Sequence, residues 1–286
     1  MASSRQVVLI TGANTGIGYE LVKALYNHAS KGYDIIVGGR SLEKVEEAIN
    51  SLKMANKEST STLSPLQIDI SSDESITKAF ETISSSFDRV DVLVNNAGTY
   101  NKNVLLRAKL TLCEGAAFDK EHADGKISMR EAWNKAWDTN VAGTQVMTHT
   151  FVPLLLNSSD PRLLFITSGT SSLTESSIPA LRYNKAPPKG WPKPPSYEVA
   201  AYRSSKTGMN MMMRNWERVL REDDVKVFCI SPGFLATGLN SANGDELKKM
   251  GAGDPAVGGE FIRDVIDGQR DGDEGKVIRK DMIQSW

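Results

Sequence analysis

The sequence predicts an α/β fold of the doubly wound Rossmann type, a seven-stranded, mainly parallel sheet flanked by helices. Three observations carry that expectation. Short runs rich in Val, Ile and Leu alternate with longer amphipathic stretches along all 286 residues. The runs are mostly apolar rather than alternating apolar and polar, as strands buried on both faces of a parallel sheet are. The first run passes directly into a glycine-rich turn that opens the first helical stretch.

Taken in order, the predicted strands are Val7–Thr11, Asp34–Gly38, Leu66–Ile70, Val90–Asn95, Leu163–Thr167, Val225–Ile230 and Lys276–Arg279. Between them, Gly18–His28, Leu42–Lys53, Asp73–Phe87, Ser128–Leu156 and Ala201–Arg221 have helical periodicity. The run Met209-Asn210-Met211-Met212-Met213 in the last of these reads as packing filler rather than a ligand box. The Ser/Thr-rich patch Ser59–Ser64 reads as a loop. Repeated βα units imply right-handed crossovers. One domain over residues 1–286 is expected, with insertions near 100–130 and 172–200.

Composition narrows the function classes. A formal net charge of −1 with 24% charged residues gives no global field that points to nucleic acid or an anionic membrane surface. The two cysteines, Cys113 and Cys229, lie far apart without metal-ligand spacing, which fits free thiols in a reducing compartment. His28, His122 and His149 are scattered and form no metal motif. No apolar run approaches the roughly 18 residues that span a bilayer, and the N-terminus lacks a secretory apolar core. A cytoplasmic protein with no metal, no nucleic-acid partner and no membrane partner is expected.

The glycine turn is Thr11-Gly12-Ala13-Asn14-Thr15-Gly16-Ile17-Gly18. Between a strand and a helix, such a turn offers a dinucleotide pyrophosphate backbone N–H groups and a helix N-terminus. Gly12 permits the tight turn, Gly16 the close approach of phosphate, and Gly18 the packing of helix on strand. At the end of the second strand an NAD enzyme would place a carboxylate on the adenosine ribose. Here the chain has Gly38-Gly39-Arg40-Ser41. Arg40 and Ser41 suit a 2′-phosphate, so NADP(H) is favoured over NAD(H). Asp69, at the end of the third run, is a candidate acceptor for the adenine amino group.

Tyr202-Arg203-Ser204-Ser205-Lys206 places a phenol and an ammonium four residues apart on one helical face. A nearby cation favours the phenolate, which brings a tyrosine toward the working range of acid–base chemistry. Ser168, just after the fifth predicted strand, lies at the carboxyl edge where α/β sheets hold ligands. Asn140 lies within the fourth helical stretch.

These residues together resemble the short-chain dehydrogenase/reductase family in its compact form. The resemblance rests on Gly12, Gly16 and Gly18, Asp69, Asn95-Asn96-Ala97-Gly98, Asn140, Ser168, Tyr202, Lys206, and Ser231-Pro232-Gly233 followed by Thr237. It implies Tyr202 as general acid/base, with Lys206 lowering its pKa and holding the nicotinamide ribose. It further implies Ser168 bonding the substrate oxygen and Asn140 anchoring a water in a proton relay. The cofactor-contacting set it implies is Gly12, Asn14, Thr15, Gly16, Ile17, Gly18, Arg40, Ser41, Asp69, Ile70, Asn96, Ala97, Gly98, Tyr202, Lys206, Pro232, Gly233, Leu235 and Thr237. Asn95–Gly98 would support cofactor and sheet, and Pro232-Gly233 with Thr237 the carboxamide side of the nicotinamide.

Two departures bear on substrate. Between Gly98 and Asn140 lie 41 residues, including the polar stretch Glu114–Lys126, more than the family's connection needs. Between Ser168 and Tyr202 lie 33 residues, punctuated by Pro179, Pro187, Pro188, Pro192, Pro194 and Pro195 and carrying Tyr183, Trp191 and Tyr197. The second insertion is similar to that of the family's carbonyl-reductase branch. It reads as a lid or pocket wall, with Trp191 and Tyr183 either stacking on a flat substrate or packing the loop onto the body. Arg130 reads as a solvated helix start, with Trp133 near the same mouth. Residues 234–253 contain Gly238, Gly244, Gly251 and Gly253, which suits a hinged flap. No anion clamp is evident there, so the expected substrate is a neutral carbonyl or the corresponding alcohol, an intermediate of secondary metabolism.

The expectation is thus an NADPH-dependent carbonyl reductase or alcohol dehydrogenase, with imine or enone reduction open to the same machinery. The rival is a regulatory protein that binds NADP(H) on the same fold without turnover; a missing Tyr or Lys would have favoured it. An isomerase or dehydratase with bound NAD would carry a different glycine spacing. The family pairs its helices around Asn140 and Lys206, so a homo-oligomer is expected, although the insertion beside Tyr202 can obstruct that surface.

Overall fold

A computed structural model describes residues 5–98, 117–193, 199–237, 247–249 and 251–286. Cys113, Pro194, Pro195, Tyr197, Gly238, Gly244 and residues 99–116 of the first insertion lie outside the described residues. The strands are β1 (Gln6–Ile10), β2 (Tyr33–Gly39), β3 (Thr62–Gln67), β4 (Val92–Asn95), β5 (Arg162–Ile166), β6 (Lys226–Ile230), β7 (Val277–Ile278) and β8 (Ile283–Gln284). They form one sheet in the order β3-β2-β1-β4-β5-β6-β7-β8. Pairing is parallel from β3 to β7 and antiparallel between β7 and β8. The sheet therefore has eight strands rather than the predicted seven. β8 is two residues long, too short to leave any periodic signal in sequence.

The helices are α1 (Gly16–Tyr26), α2 (Leu42–Ala55), α3 (Asp73–Ser84), α4 (Ala117–Ala123), α5 (Met129–Trp137), α6 (Thr144–Leu155), α7 (Leu173–Ser176), α8 (Ala200–Leu220) and α9 (Pro255–Ile266). Alternate residues of β1 face two separate cores. Val7 and Leu9 join Phe151, Met209, Met213 and Trp216 under α3, α6 and α8. Val8 and Ile10 join Leu21, Val22, Ile49, Phe261 and Ile262 under α1, α2 and α9. Period-two alternation with both sets apolar is what a sheet covered on both faces requires. Met209, Met212 and Met213 are buried in the first core while Met211 is exposed, so the methionine run is packing, as its composition indicated.

Three local expectations need correction. The third strand is Thr62–Gln67, not Leu66–Ile70. It is an edge strand that buries only Leu63 and Leu66, and so lacks the apolar run of its neighbours. Pro65 is tolerated there because an edge strand can spare a ladder donor. The expected helix Ser128–Leu156 is two helices, α5 and α6, joined by a π-helical turn, Asp138–Gly143. At its end, a Cβ on Gly143 would collide with the carbonyl oxygen of Ile70, so the chain crosses the β3–α3 connection backbone to backbone. Finally, α4, α7 and α9 were not anticipated. The last had a legible start, since Asp254 caps it through Ala256 N at 3.0 Å and Pro255 occupies the first helical turn.

Candidate active site

The site assembles at the carboxyl ends of β1, β4, β5 and β6. β1 ends at Ile10, and the chain turns through Gly12 and Gly16, both left-handed at φ 62° and 58°. Such angles favour residues without a Cβ. Thr11 Oγ1 accepts hydrogen bonds from Asn96 N at 3.1 Å and Ala97 N at 2.9 Å. Asn96 Nδ2 donates back to Thr11 O at 2.9 Å and Gly12 O at 3.1 Å. The Asn-Asn-Ala-Gly segment after β4 is thereby bolted to the glycine turn. A Cβ on Gly18 would sit 2.5 Å from Asn96 Nδ2 and 2.6 Å from Gly12 O, so this close approach needs glycine. Thr15, the residue before α1, makes no side-chain cap, which leaves the first-turn N–H groups without a side-chain acceptor of their own.

The end of β2 lies beside this turn. A Cβ on Gly39 would stand 2.8 Å from Asn14 Oδ1, so the Asn14 side chain covers the strand end next to Arg40. Arg40 is exposed, and its guanidinium has no hydrogen bond or ion pair among the described residues. Ser41 Oγ caps α2 by accepting from Lys44 N at 3.4 Å. Asp69 lies two residues beyond β3, its Oδ1 accepting from Ser71 N at 3.0 Å and Ser71 Oγ at 2.7 Å. Ile70 is buried beside it.

α8 carries Tyr202 and Lys206 on its inward face, both buried. Lys206 Nζ lies 6.0 Å from the centroid of the Tyr202 ring. It donates to Ile166 O at 2.8 Å and lies 3.8 Å from Met209 Sδ. Burial draws the Lys206 pKa down from 10.5 to about 8. Burial also pushes the nearby Cys229 thiol up, which keeps it protonated and unreactive.

Ser168 follows β5 and is almost fully buried. Its Oγ lies 3.0 Å from Thr170 Oγ1 and accepts from Thr170 N at 3.2 Å. The turn that follows is stitched to α8: Thr167 Oγ1 donates to Asn210 Oδ1 at 2.6 Å, Asn210 Nδ2 to Ser171 Oγ at 2.9 Å and Thr207 Oγ1 to Ser171 O at 2.8 Å. Asn140 sits in the π-helical turn, a feature often found at functional sites. Its Nδ2 donates to Ser205 Oγ at 2.9 Å, and Ser205 Oγ donates to Tyr202 O at 2.9 Å. Asn140 Oδ1 is buried without a hydrogen-bond partner among the described residues and would lie 3.5 Å from a Cβ on Gly98. Asn140 is thus tied to the helix that carries Tyr202 and lies next to the segment after β4.

Beyond β6, Gly233 is left-handed at φ 101°. Leu235 pairs with Gly253 and rests on Gly258 of α9, and Thr237 N donates to Leu235 O at 3.0 Å. Pro232, Gly233, Leu235 and Thr237 therefore line the approach to the same edge. The insertion aromatics divide. Tyr183 packs on the body, its ring 5.2 Å from the Arg203 guanidinium carbon and its hydroxyl 3.3 Å from Glu175 Oε2. Trp191 is 88% exposed among the described residues. Arg130 is exposed at the start of α5. A groove of about 450 Å³ runs along the opposite, outward face of α8 between Trp137, Leu173, Arg203, Thr207 and Met211.

Sequence reasoning missed two groups. Gln284 of β8 is buried, and its Nε2 donates to Ser168 O at 3.2 Å. Asp119 of α4 is buried and accepts from Ala201 N and Tyr202 N, each at 2.9 Å. The signal for the second was a deficit: Val199, at the start of α8, has no side chain able to cap it.

Comparison with known proteins agrees with this architecture. Residues 6–180 and 192–248 match the short chain dehydrogenase family. A short-chain dehydrogenase/reductase of Phoma sp, eupG, is 45% identical over 294 aligned positions, covering 100% of this chain and 99% of the relative. Another from Talaromyces stipitatus, tropE, is 42% identical and covers 98% of this chain and 97% of the relative. Among solved structures, an NADPH-bound carbonyl reductase from chicken fatty liver superposes with a TM-score of 0.70 at 17% identity, over 99% of this chain and 100% of that one. A 3-oxoacyl-[acyl-carrier protein] reductase from Brucella melitensis in complex with NAD gives 0.69 at 20% identity, over 98% and 96%. Among the described residues, no helix is long and apolar enough to cross a membrane, and no group of three or more His, Cys, Asp or Glu side chains is placed to hold a metal.

Proposed function

The chain belongs to the short-chain dehydrogenase/reductase family, and on that premise we propose that it is an NADP(H)-dependent oxidoreductase that interconverts a neutral carbonyl compound and its alcohol. The observation that carries this reading is the buried Lys206 ammonium beside the Tyr202 ring, at the sheet edge shared with the glycine turn.

The residues suit the cofactor. The glycine turn bends through left-handed Gly12 and Gly16, the first-turn N–H groups of α1 face no side-chain cap, and the Arg40 guanidinium has no partner among the described residues. Gly12, Asn14, Thr15, Gly16, Ile17 and Gly18 would hold the pyrophosphate, Arg40 and Ser41 a 2′-phosphate, and Asp69 with Ile70 the adenine. Asn96, Ala97 and Gly98, with Pro232, Gly233, Leu235 and Thr237, would hold the nicotinamide half. When bound, NADPH supplies the hydride.

The chain's own residues manage the charge. Tyr202 donates its phenolic proton to the oxygen on which negative charge develops, and Ser168 Oγ gives that oxygen a second hydrogen bond. Lys206 favours the phenolate left behind and reaches the nicotinamide ribose. Asn140 Oδ1, a buried acceptor without a partner, suits a water that returns a proton toward Tyr202. The stretch 234–253 carries no arginine in sequence, which supports a neutral substrate. So does the name of a relative 27% identical over 293 residues, a (+)-neomenthol dehydrogenase of Capsicum annuum. Because all described strands join one sheet, we assign the chain to one domain.

The test is binding of NADPH and NADH by calorimetry, followed by NADPH oxidation against a panel of neutral ketones, aldehydes and imines. Preferential NADPH binding with turnover supports the reading. Binding without turnover across the panel points to an NADP(H) sensor on the same fold, and equal affinity for NADH overturns the assignment of Arg40.

A further inference from the structure

The helix that carries the acid/base tyrosine begins without a local cap. The first-turn N–H groups of any helix have no partner within the helix, and Val199 before α8 contributes no side-chain acceptor. The acceptors come instead from 82 residues upstream: Asp119 Oδ1 takes Ala201 N at 2.9 Å, and Oδ2 takes Tyr202 N at 2.9 Å. Both oxygens are used, each on a separate amide, in short charge-assisted bonds. The carboxylate is only 8% exposed. Burial pushes its pKa up, and the backbone donors of Ala201, Tyr202 and Ala200 together with His122 oppose that rise.

Burying a carboxylate is costly, and a serine or aspartate at position 199 would cap the helix with no such cost. A distant cap does one thing that a local cap cannot: it ties the first turn of α8 to another element. That element is α4, in the stretch between Gly98 and Asn140 that exceeds the family's usual connection. α4 meets α5 through Phe118, whose ring centroid lies 5.7 Å from Lys135 Nζ, while Lys120 Nζ to Asp124 Oδ1 at 2.8 Å and His122 Nδ1, 3.2 Å from Ile127 O, brace its own C-terminal turn. Tyr202 is the third residue of α8, so its position follows the first turn. Lys206, one turn further on, is fixed independently through Ile166 O.

We propose that Asp119 is a positioning residue for Tyr202: by holding the amides of Ala201 and Tyr202 from α4, it sets the phenol in place relative to Lys206 and Ser168. The inference rests on Tyr202 being the acid/base of the proposed reaction. It separates the two halves of the Tyr–Lys pair, because loss of Asp119 releases Tyr202 while Lys206 and the cofactor cradle stay fixed.

The test compares Asp119→Asn, Asp119→Leu and the double variant Asp119→Leu/Val199→Ser with the wild type. For Asp119→Leu the expected result is a fall in kcat of about 10- to 100-fold, the scale of a misplaced reacting group. The Kd for NADPH should stay within about twofold, since of the implied cofactor residues the cap meets only Tyr202, through its backbone amide, and amide exchange over residues 200–203 should quicken by about tenfold. Asp119→Asn keeps one of the two acceptors and turns its amide nitrogen toward the other N–H, so its kcat should fall between those of Asp119→Leu and the wild type. Val199→Ser restores a local cap, so the double variant should regain thermal stability but not kcat. Recovery of both together would show that Asp119 only stabilises the helix and would overturn the proposal, as would a loss of NADPH affinity parallel to kcat. If the wild type turns over no carbonyl, the reading of the reaction fails on its own account. Amide exchange then decides, and unchanged protection at 200–203 in Asp119→Leu sinks the positioning role.

Discussion

Lys206 Nζ donates a 2.8 Å hydrogen bond to the carbonyl of Ile166, the last residue of β5, so the ammonium of α8 is fixed to the strand end that leads two residues later into Ser168. One cation thereby registers helix against sheet at the point where the proposed acid/base and its companion serine must meet. Its burial has a cost that depends on pH, because the charged form is the one that desolvation disfavours.

That cost gives a stability prediction with a definite sign. The folded-state pKa of Lys206 is drawn down to about 8, from 10.5 for an ordinary lysine. Between those two values the unfolded chain binds the proton more tightly than the folded one, so stability rises with pH across that window. Below about pH 8 both states are protonated and the penalty is constant, on the order of 3 kcal/mol at about 1.4 kcal/mol per pH unit. The difference in Tm between wild type and Lys206→Met, in the absence of cofactor, should therefore shift in favour of the wild type by several degrees from pH 8 to pH 10.5. A flat difference would mean that Lys206 titrates as it does in water.

Tyr202→Phe removes the proton donor and little else. Turnover of a carbonyl substrate should fall by about 10²- to 10⁴-fold, the usual contribution of a positioned acid. NADPH affinity and Tm should remain near wild type, because the ring and its packing persist. Steady-state rates with parallel calorimetry check both halves of this prediction.

Arg40→Ala tests cofactor choice. A charge-assisted contact to a 2′-phosphate is worth about 1.5–3 kcal/mol, so NADPH affinity should weaken about 10- to 100-fold. NADH affinity should be nearly unchanged. Titration of the variant with both cofactors distinguishes a lost phosphate contact from a general loss of the fold.

Gln284→Leu tests the C-terminal hairpin as a brace for the Ser168 turn. The variant removes the donor to Ser168 O and Ser171 Oγ, both in a buried setting, and the acceptor of Arg279 Nε at 2.9 Å. Groups left unpaired in this way cost about 1–3 kcal/mol. Urea denaturation should show a lower midpoint with an unchanged slope.

Much of the architecture was legible in the sequence because it depends on local signals. The strand pattern follows from apolar runs, and the nucleotide turn from glycines whose backbone angles no other residue adopts easily. Tyr202 and Lys206 followed from four-residue spacing on one helix. The edge strand β3 was misplaced because half of its residues face solvent and a proline interrupts it. The two-residue β8 left no periodic trace.

The sequence by itself determined the doubly wound α/β plan, the glycine turn and the Tyr–Lys spacing, because each depends on residues within a few positions of one another. Only the tertiary structure decided what surrounds them. The π-helical turn that carries Asn140 ends at Gly143, which crosses the backbone at Ile70. The cap of α8 comes from Asp119, and the brace of Ser168 from Gln284. Each of these joins groups far apart in the chain, and their meeting is set by how helices pack on the sheet, which no local pattern encodes.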